Sequence, residues 1–145
     1  MDAKSIPVKV SLHTKVTDAG ETDHTELHSD GTLFEKSDAV YLRYDEVMNE
    51  NDKVQTTIKI KQEDVTIIRS GAVSMKQWFA ANTLKEGTYE SPYGPIQIAT
   101  KTDSLDFNWH DGTREGKLTL NYRVLFQGEE AGYHELIIRL KGEKA

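Results

Sequence analysis

Residues Lys117 to Gln127 read K-L-T-L-N-Y-R-V-L-F-Q, with Leu118, Leu120, Tyr122, Val124 and Phe126 all on even positions. A period of two places those five side chains on one face of a strand and Lys117, Thr119, Asn121 and Arg123 on the other. Shorter runs repeat the alternation along most of the chain, the mark of antiparallel sheet packed on one side and wet on the other.

The first strand is predicted over Pro7 to Thr17, with Val8, Val10, Leu12, Thr14 and Val16 inward. Asp18 to Asp30 follows, where Asp18, Glu21, Asp23, Glu26 and Asp30 leave Leu27 nearly alone as an apolar residue. So polar a segment reads as an exposed loop or a polar edge hairpin, with Asp30-Gly31 suited to a turn of positive φ. Val40, Leu42 and Tyr44 define the next strand, and a turn at Asn51-Asp52 leads to Val54, Thr56, Ile58 and Ile60. Glu63-Asp64 turns into Val65, Ile67 and Arg69, and Ser70-Gly71 leads to Val73, Met75 and Phe79. Met75, Trp78, Phe79 and Asn82 also fit helical spacing, but the alternation leaving a hairpin turn favours a strand. Lys85 to Pro95 holds Gly87, Pro92, Gly94 and Pro95 and reads mostly as loop. Ile96, Ile98 and Thr100 form one strand, and Leu105, Phe107 and Trp109 the next. After Asp111-Gly112 comes the long strand, then a turn over Gly128 to Gly132 into His134, Leu136, Ile138 and Leu140.

About 8–10 strands at roughly ten-residue spacing, joined by short connections, predict an all-β antiparallel barrel or sandwich. Closure removes the two unpaired edges of so wide a sheet, which favours a barrel. Spacing alone does not separate an up-and-down barrel from a Greek-key sandwich. The chain has 145 residues and no break in composition, so residues 1–145 are expected to form a single domain.

Composition narrows the function classes. Cysteine is absent, so disulfides and thiolate metal sites are excluded. Met1 to Val10 carries Asp2, Lys4 and Lys9 and lacks the apolar core of a signal peptide. No apolar run approaches the ~20 residues needed to cross a bilayer as a helix. A cytoplasmic protein is the expectation. Twenty-four acids against eighteen bases give a formal charge of −6, and no window concentrates Lys and Arg. Nucleic acid and anionic membrane are therefore not expected as partners.

Enzyme signatures are missing: there is no G-x-S-x-G elbow, Walker loop, G-x-G-x-x-G or H-E-x-x-H. His24 and His28 are four apart, which on a strand separates them by about 13 Å, too far to share one zinc. His110-Asp111 could form an acid–base pair, but strand neighbours point to opposite faces and Asp-Gly is first a turn signal. No catalytic residue, metal or cofactor is expected.

Polar residues on the apolar parity carry more information. Arg69 follows Val65 and Ile67, Tyr44 and Glu46 follow Val40 and Leu42, and Tyr122 lies within the long apolar stripe. A buried guanidinium needs a partner. That partner is either Glu46 or a backbone carbonyl at one end of the barrel, or a ligand carboxylate or phosphate held with tyrosine hydroxyls. Arg69, Tyr44, Glu46 and Tyr122 are thus the candidate ligand-binding residues, with Trp109 as a candidate cavity wall.

From Tyr44 onward the sequence resembles the YwiB-like family of bacterial β-barrel proteins. The likeness is carried by Tyr44-x-Glu46, Thr56-Thr57-Ile58-Lys59-Ile60, and Arg69-x-Gly71 followed by Met75 and Phe79. Tyr89 to Gly94 (Y-E-S-P-Y-G), Thr100 and Gly116 to Tyr122 (G-K-L-T-L-N-Y) continue it. The resemblance implies a calycin-like, mostly up-and-down barrel and no particular activity. Among calycins, the lack of disulfides and of a signal peptide favours the intracellular, fatty-acid-binding style over secreted lipocalins. Two functions compete. One is a non-enzymatic module binding a small amphipathic, apolar or acidic ligand inside the barrel. The other is an interaction or structural domain with a filled barrel and a working outer surface that includes Tyr41, Trp78 or Leu125.

Overall fold

A computed structural model describes residues 5–47, 52–91 and 93–143, so Asn51 and Pro92 lie outside the described residues. Ten strands run in chain order: β1 (Ser5–Asp18), β2 (Glu21–Lys36), β3 (Ala39–Val47), β4 (Lys53–Lys61) and β5 (Asp64–Gly71), then β6 (Ser74–Ala80), β7 (Thr83–Ser91), β8 (Gly94–His110), β9 (Glu115–Phe126) and β10 (Glu129–Gly142). Each strand pairs antiparallel with its sequence neighbours, and β1 pairs with β10 to close the ring. This is the up-and-down alternative, and it explains why every connection is short: successive strands are joined by hairpins. Three connections, Ala19-Gly20, Ser37-Asp38 and Gln127-Gly128, have positive φ at both residues, the backbone that matches the twist of the flanking strands.

The parity reading holds where it was clearest. Leu118, Leu120, Tyr122 and Val124 are all buried. Phe126, at the end of that stripe, is 42 % exposed, because the barrel interior stops before the strand does. The core gathers inward residues of most strands, with Ile58, Phe79, Leu120 and Ile138 almost completely shielded from solvent.

Three segments depart from expectation. Asp18 to Asp30 takes the polar hairpin alternative rather than the loop, but with its turn at Ala19-Gly20 and none at Asp30-Gly31: β2 runs unbroken from Glu21 and pairs with β1 from Asp18↔Glu21 to Ser5↔Phe34. It is held by its backbone ladder rather than by buried apolar surface. Gly31 sits inside the strand, where a side chain has no room: a Cβ there would lie 2.8 Å from the Arg43 carbonyl oxygen and 2.9 Å from Val10 Cγ2. Lys85 to Pro95 is mostly strand, split between β7 and the start of β8. The two strands expected over Ile96–Thr100 and Leu105–Trp109 are one strand, β8, with an irregularity between Thr102 and Ser104. That extra residue switches the inward positions from even to odd numbers.

Candidate functional site

Register brings most of the candidate residues into one belt on the inner face. Tyr44 on β3 pairs with Thr56 on β4, Thr56 with Arg69 on β5, and Arg69 with Met75 on β6. Glu46 lies two residues beyond Tyr44, on the same face. Tyr122 reaches in from β9, its ring edge-on to Phe79 with centroids 4.8 Å apart.

These side chains border an internal cavity of about 230 Å³. Its apolar wall includes Leu12, Leu27, Ile58, Ile67, Met75, Leu136 and Ile138; its polar lining includes Tyr44, Glu46, Thr56, Arg69, Gln77 and Tyr122. The opening follows from strand pairing. β2 and β3 pair only from Lys36↔Ala39 to Gly31↔Tyr44. Past that point Ser29 Oγ donates to the Asp45 carbonyl at 2.9 Å, and the rest of β2 pairs with β1. Thr25 and Leu27 from this unzipped half line the cavity together with Glu46 and Arg69.

Arg69 Nη2 donates to Glu46 Oε2 at 2.9 Å, with both side chains about one-quarter exposed. The internal partner foreseen for Arg69 is therefore present, and it stands at the cavity mouth rather than in a filled core. Partial exposure lets water offset part of the cost of desolvating the two charges.

Both phenols are held protonated. Tyr44 is pushed up to about 12, first by burial and then by the Glu46 carboxylate, with Arg69 opposing. Thr56, its partner across the strand pair, offsets a little of the rise, although Thr56 Oγ1 has no partner of hydrogen-bond geometry among the described residues. Tyr122 is likewise raised to about 12 by burial, with Arg69 opposing. Arg69 thus acts electrostatically on both rings.

Trp109 does not join the site. It pairs with Gly116, six positions before Tyr122 on β9 and so about 20 Å away along the strand. Its indole Nε1 donates to Asp111 at 2.9 Å, which also engages the carboxylate that could have served His110. Gln77 and Thr56 are site residues that the sequence reading did not single out. Gln77 Nε2 donates to Thr100 Oγ1 at 3.2 Å within the buried interior. Its signal was available, because Gln77 falls on the parity of Met75 and Phe79.

The outer surface offers less. A hollow of about 460 Å³ lies on the outside of β1, β2 and β10, lined by His13, Lys15, His24, Glu26 and Glu135 among others. It is larger than the internal cavity, and Thr14, Thr25 and Ile137 line it alongside the charged side chains. There Glu26 Oε1 lies 2.7 Å from His28 Nε2, both well exposed. No group of three or more His, Asp or Glu among the described residues is arranged to hold a metal. The outer aromatics are capped by cations: Arg43 over Phe34, Lys59 over Tyr41 and Lys76 over Trp78. The exposed large apolar residues Val47, Ile68, Leu84, Tyr93 and Phe126 are spread over β3, β5, β7, the β7–β8 turn and β9.

Comparison with known proteins agrees with this architecture. The pattern that defines the family described as Domain of unknown function (DUF1934) matches residues 10–138. The chain is 28 % identical over 137 residues to the uncharacterized β-barrel protein YwiB of Bacillus subtilis (strain 168), covering 92 % of this chain and 93 % of that one. It superimposes on the crystal structure of the ywiB protein from Bacillus subtilis with a TM-score of 0.85 at 24 % identity, covering 97 % of this chain and 94 % of the other.

Proposed function

The chain belongs to the DUF1934 family, and within that barrel we propose a non-enzymatic module that binds a small amphipathic molecule. The observation that carries this reading is the internal cavity, where apolar walls converge on a few placed polar groups. Its 230 Å³ equals the liquid volume of roughly seven or eight waters. That is below the ~300–1,000 Å³ of sites for drug-sized ligands. The ligand is accordingly small, and a long acyl chain does not fit. Its apolar body lies against Leu27, Ile58, Ile67 and Leu136, with its polar end at the Arg69–Glu46 mouth. A cytoplasmic location accords with the cysteine-free composition.

The interaction-domain alternative finds less support. Tyr41 and Trp78 lie under lysines, and the exposed large apolar residues fall on different strands and one turn.

The test is a methyl NMR titration with a panel of short amphiphiles at millimolar concentration. Binding in the barrel shifts the methyls of Ile58, Ile67, Leu136 and Ile138 while leaving Val47 and Leu84 unmoved. A panel that moves no interior methyl overturns the reading.

A further inference from the structure

The charges at the mouth say which head group the cavity accepts. We propose that the site selects a net-neutral head bearing both a hydrogen-bond donor and an acceptor, such as a carboxamide, and disfavours a free carboxylate. This rests on the ligand-binding reading above and specifies its ligand class.

Among the described residues Arg69 is the one cation lining the cavity, and its guanidinium is already engaged by Glu46 at 2.9 Å. A ligand carboxylate reaching Arg69 meets the Glu46 carboxylate on the same guanidinium. Two carboxylates on one guanidinium repel each other where water only partly screens them. Glu46 is held in place by the same Arg69 guanidinium, so a ligand carboxylate must either share that group or displace it.

The remaining polar lining is uncharged. Tyr44 and Tyr122 offer hydroxyls, Gln77 an amide, and Thr56 a hydroxyl. Each of these groups can both donate and accept. Thr56 is 1 % exposed, and its Oγ1, near enough to Tyr44 to act on it, makes no hydrogen bond of good geometry among the described residues. A buried hydroxyl in that state favours a ligand that supplies the missing bond. One positive group, one negative group and several neutral donor–acceptors together match a dipolar, uncharged head.

Hexanamide and hexanoate have nearly the same shape and differ in head-group charge, so they separate the alternatives. Methyl NMR titration at pH 7 is expected to show hexanamide binding at least tenfold more tightly than hexanoate. Glu46→Gln removes the competing carboxylate and is expected to shift the hexanoate-to-hexanamide affinity ratio at least tenfold toward hexanoate. A second measurement does not depend on the variant folding. In the wild type, hexanoate affinity is expected to rise as the pH falls from 7 to 5 and the acid becomes partly neutral, while hexanamide affinity changes less. Equal affinity for the two probes, or no pH trend for hexanoate, overturns the head-group assignment but leaves ligand binding standing. Failure of both probes and of the wider amphiphile panel overturns the binding reading itself.

Discussion

The imidazole of His134 stacks on the ring of Tyr122, with centroids 5.0 Å apart and planes 12° from parallel. The two residues face each other across the β9–β10 ladder, so the half-buried histidine covers one side of a phenol that borders the cavity. Burial lowers the His134 pKa below its ordinary 6.5, against smaller opposing effects of the Ala131 backbone and Asp18.

That shift gives a direction for acid stability. Between the lowered folded value and 6.5 the unfolded chain binds a proton that the folded chain does not, so stability rises with pH there. The contribution is complete above the unfolded value and is lost as the pH falls through and below 6.5. Urea midpoints are expected to drop between about pH 7.5 and pH 5.5. His134→Phe keeps an aromatic ring in the stack and is expected to reduce the drop. An unchanged pH slope in that variant would show that other groups govern it.

At the alkaline end the sign is reversed. Tyr44 and Tyr122 are raised from 10.0 to about 12, so their contribution is complete below 10 and declines as the pH rises toward 12. Absorbance titration of the phenolates should show two of the six tyrosines ionising only near 12, together with loss of the fold. Tyr122→Phe should reduce that late class to one.

Core packing sets the largest single-site effects. Leu120 is fully buried and pairs with Leu136 across the β9–β10 ladder. Leu120→Ala is expected to cost about 2–5 kcal/mol, from lost burial plus the void left behind. Ile138→Val, also at a fully buried position, removes one methylene and should cost about 0.5–1.5 kcal/mol. Chemical denaturation of both variants checks the order.

Gly31 supplies a sharper test of the seam between β2 and β3. A methyl there meets the Arg43 carbonyl oxygen at 2.8 Å, and backbone yields less readily than a side chain. Gly31→Ala is expected to destabilise by about 1–3 kcal/mol. Because Gly31↔Tyr44 is the last pair of that ladder, the variant should also perturb the Tyr44 ring resonances. A neutral effect would mean that the seam can widen freely.

The sequence revealed the barrel wherever burial enforces the two-residue period. Leu118, Leu120, Ile58 and Ile138 could be assigned to the interior from their numbers alone, and so could Arg69, Glu46, Tyr44 and Tyr122. β2 was hidden for a physical reason. Ser29, Thr25 and Asp23 share its inward parity with Leu27 and Leu33, so too little apolar alternation marks a strand held by its pairing to β1. In β7, Gly87 resembled loop punctuation, yet it belongs to the strand because the Lys76 carbonyl approaches too closely for a side chain. Gln77 stood on the inward parity of Met75 and Phe79 but, being uncharged, did not mark itself out as Arg69 and Glu46 did. Trp109 was misplaced because parity gives the face of a residue, not its height along the barrel.

The pairing of β1 with β10 has a consequence for biosynthesis. Val8 finds its partner in Gly142 and Leu12 in Ile138, so the ring cannot shut until β10 has left the ribosome. Until then β1 has only β2 beside it, and its other border stays open to any extended segment nearby. Closure joins the most distant parts of the chain, which makes it a slow, late event. Nascent or truncated forms lacking β10 would consequently be the species most in need of chaperone protection.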